Sequence, residues 1–580
     1  MPSLPPIDSL TLIEQVAQMV VVRTSGYLFD HQIQYPIWEA NSATLRHLLE
    51  DLGVGGVILL GGSAGEISLR TQQLQAWAKI PLLISADIEE GVGQRFSGAT
   101  WFPPPMALNA IAQSNLSLAC NYAEQMGAVT AQEAMAIGLN WVLAPIVDVN
   151  NNPDNPVINV RAFGETTEIV SKLASAFIRG AQSHRVLTTA KHFPGHGDTA
   201  VDSHLELPVL QHDRARLEQV ELPPFQAAIQ AGVDAVMSAH LQIPALDDRY
   251  PATLSPKILT AELRQRLGFA GLIVTDALIM GAIANRYGND ESAVLAVEAG
   301  ADILLMPLDP EKAILAVCAA VNAGRIAPDR VRASVERIWD AKLKVLPSET
   351  KSTLLNPSMN RWVAALLERP LNSPQVRDFE SPGVPQDGGL GGEFIPSFSN
   401  ATKSLSLLAQ PEAIATNTKI LQDSMRVYHP ILSRLDHLPE KNGRNLILID
   451  DGIDCDFLGR TAPAIVAPSQ FGFTQVQVID RYTPPILLDP TSTDLCPTLL
   501  QLFIRGNPFR GSAGLTETAQ NWFDHLLKSQ QLQAFIIYGS PYVLEQFLPL
   551  LPSTVPYVFS YGQMQLAQAI AITALFSQKK

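Results

Sequence analysis

Only four cysteines occur in 580 residues, Cys120, Cys318, Cys455 and Cys496, and no two form a C-x-x-C pair. That spacing excludes a zinc ribbon or a redox dithiol, and the four are expected as core residues. Basic residues are outnumbered, with 41 Lys and Arg against 56 Asp and Glu, a formal net charge of −15. A surface of that sign repels nucleic-acid phosphates and anionic lipid, so neither nucleic acid nor a membrane is expected as a partner. No run of about 18 uninterrupted apolar residues occurs, the length that a spanning helix needs. The opening MPSLPPIDSLTLIEQVAQM lacks a basic start, and Asp8 and Glu14 interrupt what would be the apolar core of an export signal. A soluble, cytoplasmic protein is the expectation.

What is present is material for large cores: 47% of residues are hydrophobic and 17% charged. At this length more than one core is expected, and two domains are the working number. Eight short apolar runs punctuate the first 310 residues: MVVVR from Met19, GGVILLG from Gly55, PLLISAD from Pro81, LNWVLAPIVDV from Leu139, VLTTAKH from Val186, AVMSAHL from Ala235, GLIVTDA from Gly271 and ADILLMP from Ala301. Helix-compatible text lies between most of them, and eight alternating β/α units predict a (β/α)₈ barrel ending near Leu346. The expected organisation is a barrel over residues 1–346, a Pro/Gly/Ser-rich linker over 347–400, and a smaller α/β domain with a mostly parallel sheet over 401–580.

Six of the eight runs end in polar or ionisable residues: Arg23, Asp87, Asp148, Lys191 with His192, His240 and Asp276. In a barrel the carboxyl ends of the strands converge on one mouth, so this pattern marks a functional rim. The alternative for each Asp is that it caps the following helix. The densest ionisable cluster is K-H-F-P-G-H-G-D-T-A-V-D-S-H-L-E-L-P, Lys191 to Pro208, after the fifth run. Pro194, Gly195 and Gly197 keep it from being helical, so His192 and His196 do not share a helix face as zinc-protease ligands would. A metal held by the loop itself stays open as a minor alternative.

This loop resembles the signature of the family 3 glycoside hydrolases, and within them the NagZ-type β-N-acetylglucosaminidases. The likeness continues in A-D-I-E-E-G-V-G-Q-R-F (Ala86 to Phe96), A-P-I-V-D-V (Ala144 to Val149), N-V-R-A-F-G (Asn159 to Gly164) and V-T-D-A-L-I-M (Val274 to Met280). The resemblance implies Asp276 as catalytic nucleophile. A short side chain at a strand terminus suits that task, because in-line attack tolerates little positional error. It implies His204 as acid/base, with Asp202 as the partner that fixes and charges its imidazole. It also implies Asp87, Arg161, Lys191 and His192 as sugar-binding residues, with Arg95 ordering the Asp87 segment. For each of these an ion pair between neighbouring strand ends is the structural alternative. His196 and Asp198 are expected to shape the loop.

The activity so implied is that of a retaining exo-β-N-acetylglucosaminidase acting on terminal β-linked GlcNAc, with small carbohydrates such as muropeptides as partners and no metal or organic cofactor. A phosphorylase and a noncatalytic sugar-binding barrel are the alternatives. In the second half, R-G-N-P-F-R-G-S-A-G (Arg505 to Gly514) follows a strand but matches neither the dinucleotide nor the P-loop spacing. A scaffold or substrate-shaping role is expected for that domain.

Overall fold

The computed structural model describes residues 4–203, 206–346, 404–431, 433–437, 442–450, 452, 455–484, 496–506 and 517–577. The expected linker, 347–400, and His204 lie outside them. The first half holds eight parallel strands: β1 (Val20–Ser25), β2 (Gly56–Leu60), β3 (Leu83–Ala86), β4 (Trp141–Val142), β5 (Leu187–Phe193), β6 (Ala235–Ser238), β7 (Leu272–Val274) and β8 (Leu304–Leu305). They run in the order β7-β6-β5-β4-β3-β2-β1-β8. A parallel bridge from Val274 to Ile303 brings β7 round to β8, which nearly closes the sheet into a barrel.

Each of the eight apolar runs overlaps one of these strands. The fourth differs most from expectation, since only Trp141–Val142 of the stretch from Leu139 to Val149 is strand. Pro145 removes a ladder donor there, and beyond it the chain pairs with β5 only at the isolated Ile146–Lys191 bridge. Outside the barrel, helix Leu116–Ala136 starts at Asn115, whose side chain accepts from the Leu118 amide. Helix Thr167–Ala181 starts likewise at Thr166. The two cross in contact at glycines: an added Cβ would lie 2.1 Å from the Phe177 carbonyl oxygen at Gly127 and 1.9 Å from that of Glu124 at Gly180.

The second domain carries β9 (Arg426–Tyr428), β10 (Arg444–Ile449), β11 (Gln475–Ile479), β12 (Thr498–Ile504), β13 (Leu532–Gly539) and β14 (Tyr557–Ser560), in the order β11-β10-β12-β13-β14-β9. All neighbours pair in parallel except β9, which adds antiparallel to β14. The expected mostly parallel sheet is present, and the antiparallel β9 is the element without a sequence signal. Its three residues are all exposed, so no apolar run announces it.

The domains share a core. One hydrophobic cluster runs from barrel residues into Ile420, Leu500, Phe535 and Val543. Helix Pro411–Ser424 lies on the barrel, where Tyr122 Oη donates to Asp423 (2.8 Å), Asn417 Nδ2 donates to the Trp101 carbonyl (2.6 Å), and the Ala409 amide donates to the buried Glu133 carboxylate (2.7 Å). Beside the mouth, Ser540 Oγ, just past β13, donates to Asn159 Oδ1 at 3.1 Å. Tyr542 Oη accepts from Asn150 Nδ2 and donates to Glu165, both at 2.8 Å. The carboxyl ends of β12 and β13 therefore face the loops at the barrel's carboxyl rim. Among the described residues no helix is long and apolar enough to cross a membrane.

Candidate active site

The rim gathers two linked networks. In the first, Lys191 Nζ, at the end of β5, lies 2.7 Å from Asp87 Oδ1 and 2.6 Å from Glu89 Oε1, both on the loop after β3. Arg161, on the loop after β4, grips the same Glu89 with two bonds, Nε to Oε2 at 2.8 Å and Nη2 to Oε1 at 2.7 Å. Glu89 is thus the hub that joins three strand ends. Lys191 is 1% exposed and Glu89 3%, while the Asp87 carboxylate is 35% exposed and is the acid of the set that a ligand reaches. Burial pushes the Glu89 carboxyl up, but Arg161 and Lys191 outweigh it and hold it well below the ordinary carboxylate range. Burial likewise pulls Lys191 down, and Asp87 with Glu89 turns the balance upward, so the ammonium stays charged. Arg95, exposed, donates Nε to the Asp87 carbonyl at 3.1 Å.

The second network centres on Asp148, which is 1% exposed. It accepts from the backbone amide of His196 at 2.7 Å and from that of His192 at 3.2 Å, and its Oδ2 lies 2.8 Å from His192 Nδ1. Burial raises its pKa, and His192 and His196 together bring it below the ordinary value. An ionised Asp148 makes Nδ1 the protonated nitrogen of His192, so a neutral ring presents Nε2 as acceptor. The Lys191–His192 peptide is cis, and the pairing of β5 with β6 shifts register there.

His196 joins this network to the rest of the loop. Its Nδ1 lies 2.8 Å from Thr199 Oγ1 and its Nε2 3.0 Å from Ser203 Oγ, the residue between Asp202 and His204. Burial pushes its pKa down to about 4, with His192 adding to that and the Asp148 and Asp276 charges opposing it. Asp202 is buried at 2%, and its carbonyl accepts from the Glu206 amide. Asp198 binds His212 Nε2 at 2.9 Å and Arg216 at 3.4 Å, so it shapes the loop from outside.

Asp276 follows β7, partly buried, with Oδ1 accepting from the Ala277 amide at 2.7 Å. The next helix, Gly281–Tyr287, starts five residues later with Met280 at its N-cap and no side-chain cap. A capping role for Asp276 is excluded. His240, another polar strand end, is satisfied by Thr253 Oγ1 (2.8 Å) and the Ala277 carbonyl (3.0 Å), and so supports the Asp276 turn. Among the described residues no group of three or more His, Cys, Asp or Glu side chains is arranged to hold a metal ion.

Of the residues expected from sequence, Asp87, Arg95, Arg161, Lys191 and His192 come together at one rim; Asp202 lies on the loop after β5 next to Ser203, which bonds His196, and Asp276 follows β7. The ion pairs foreseen as structural alternatives are present at Arg161 and Lys191. Glu89 and Glu90 lie within the Ala86–Phe96 motif but carry no role that the motif assigns. Two adjacent carboxylates in a run of otherwise buried character are the signal that points to them.

Such a rim on a parallel barrel defines a barrel enzyme whose site is built from strand ends. The profile described as Glycosyl hydrolase family 3 N terminal domain matches residues 11–341, and that described as Bacterial Glycosyl hydrolase family 3 C-terminal domain matches 437–577. The chain belongs to glycosyl hydrolase family 3. It is 36% identical over 359 residues to Beta-hexosaminidase A of Pseudoalteromonas piscicida, covering 56% of this chain and 59% of that one. It is also 36% identical over 279 residues to a Beta-hexosaminidase of Nitrosomonas eutropha, covering 47% of this chain and 78% of the relative. The chain thus spans less than two thirds of the first relative's length. A solved family 3 beta-N-acetylglucosaminidase from Paenibacillus sp. str. FPU-7 superposes with a TM-score of 0.72 at 26% identity, over 98% of this chain and 97% of that one.

Proposed function

We propose that the protein is a retaining exo-β-N-acetylglucosaminidase. Asp276 attacks the anomeric carbon of a terminal β-linked GlcNAc while His204, protonated and paired with Asp202, gives its proton to the leaving oxygen. The glycosyl-aspartate ester is then attacked by a water that His204 deprotonates, and the configuration is retained over two inversions. Asp87 accepts hydrogen bonds from sugar hydroxyls, and Lys191 and His192 bind beside it, where buried polar groups discriminate against sugars lacking those hydroxyls. The observation that carries this reading is the charged rim, in which Asp87, Glu89, Arg161 and Lys191 are held together at strand ends, with Asp276 following β7 of the same barrel and capping no helix. The names of the relatives and the 26%-identical structure support GlcNAc as the sugar. Muropeptides from peptidoglycan turnover are the proposed natural substrates, met in the cytoplasm.

The test is hydrolysis of a chromogenic β-GlcNAc glycoside by the pure protein, with the first-formed anomer followed by NMR and phosphate added to a parallel reaction. β-GlcNAc released at a rate indifferent to phosphate is expected. Release of the α-anomer first, a phosphate-dependent sugar phosphate, or no turnover would each overturn the reading.

A further inference from the structure

Among the described residues, the second domain reaches into the rim with the charged side chain of Arg505. Arg505 follows β12 directly, and its guanidinium pairs with both oxygens of Glu90, Nη2 to Oε1 at 2.6 Å and Nη1 to Oε2 at 3.3 Å. Glu90 is fully buried. Its Oε2 also accepts from Trp101 Nε1 at 3.0 Å, and its carbonyl accepts from the Phe102 amide at 2.8 Å. Glu90 is the next residue after Glu89, the hub that holds Arg161 and Lys191, and it is three residues from Asp87. The next residue of the second domain, Gly506, packs on the other end of the same bridge. A Cβ there would lie 3.0 Å from Asn159 Cβ and 3.1 Å from the Pro156 carbonyl oxygen. Ser540 binds Asn159 as well, and Asn159, two residues before Arg161, is held at φ 43°. The second domain thus braces the Glu89–Arg161 pair at both its flanks.

From this geometry we infer that Arg505 is a positioning residue of the barrel site, through which the second domain holds the Asp87–Glu90 loop in its sugar-binding shape. The inference deepens the proposed function and rests on it for the sugar. Arg505 acts through Glu90 and not on the bond that breaks. Its loss therefore weakens binding of the ground state and transition state alike, which raises KM more than it lowers kcat. A bidentate guanidinium on a buried carboxylate is the contact a lysine does not reproduce.

The experiment compares R505Q, R505K, the double variant E90Q/R505Q, and Y122F, which loosens another domain contact, at Asp423, without touching the rim. Two readouts are taken on the full chain: backbone hydrogen exchange over residues 88–96, and KM and kcat for the chromogenic β-GlcNAc glycoside. R505Q is expected to speed exchange in that segment and to lower kcat/KM by about ten- to a hundredfold, mostly through KM. R505K is expected to lie between R505Q and the wild type, and Y122F to match the wild type. The double variant removes the unpaired buried charge, so its unfolding temperature is expected to recover from that of R505Q while its KM stays high. Unchanged exchange in R505Q overturns the inference whatever the sugar proves to be, as does a double variant whose KM recovers together with its stability. A wild type that turns over no GlcNAc glycoside overturns the proposed function alone, and exchange then still decides the role of Arg505.

Discussion

Glu89 sits between two cations, and that makes it the residue on which the rim's electrostatics turn. Replacing it with Gln leaves Arg161 and Lys191 buried without their shared counter-charge, a loss that costs about 3–5 kcal/mol in comparable buried pairs. E89Q is expected to lower the urea midpoint accordingly and to raise KM, because Lys191 then leans on Asp87 alone. An unchanged midpoint would show that the pair contributes nothing. His196 makes a second prediction, through pH. Its folded pKa of about 4 lies below the ordinary 6.5, so the unfolded chain takes up a proton first as pH falls. The neutral ring's contribution is fully present above pH 6.5 and is lost between 6.5 and about 4, by about 3 kcal/mol. H196N removes the titrating ring, and its stability is expected to vary less over that window. A slope equal to the wild type's would place the acid sensitivity elsewhere.

At the scale of elements, the packing of helix Leu116–Ala136 on Thr167–Ala181 opposes local preference to tertiary fit. Alanine is favoured over glycine within a helix by about 1 kcal/mol. At Gly127, however, the added Cβ would fall 2.1 Å from a neighbouring carbonyl oxygen. Packing wins, and G127A is expected to lower stability by about 1–3 kcal/mol in thermal unfolding. A stabilised G127A would mean that the helices separate without loss. The loop after β5 is held at Ser203 by the neutral His196 ring, next to the expected acid/base element. S203A removes that bond, and its main expected effect is a kcat about tenfold lower with little change in unfolding temperature, since the loop's task is placement. The elements themselves were legible in the sequence because apolar runs with polar ends mark barrel strands. β9 was not, being short and exposed, and β4 is shorter than its apolar run because Pro145 interrupts the ladder there. Asp87, Lys191 and Asp276 could be picked out as polar strand ends. Glu89 and Asp148 could not be given their roles, because a hub is defined by partners on other strands.

The whole molecule is two sheets whose carboxyl ends face one another across the rim. Arg505 and Glu90 meet across 415 residues of sequence, a separation at which pattern reading has no purchase. With one hydrophobic cluster running through both domains, unfolding is expected as a single calorimetric transition with equal calorimetric and van't Hoff enthalpies. Two resolved transitions would show that the barrel stands without its partner. The central claim is chemical, and it is tested most directly by trapping. A fluorinated, slowly released N-acetylglucosaminyl substrate, followed by peptide mass mapping, is expected to place one sugar on Asp276 and none on D276A, whose kcat falls by about 10⁴-fold or more. A sugar carried by any other residue would contradict the account.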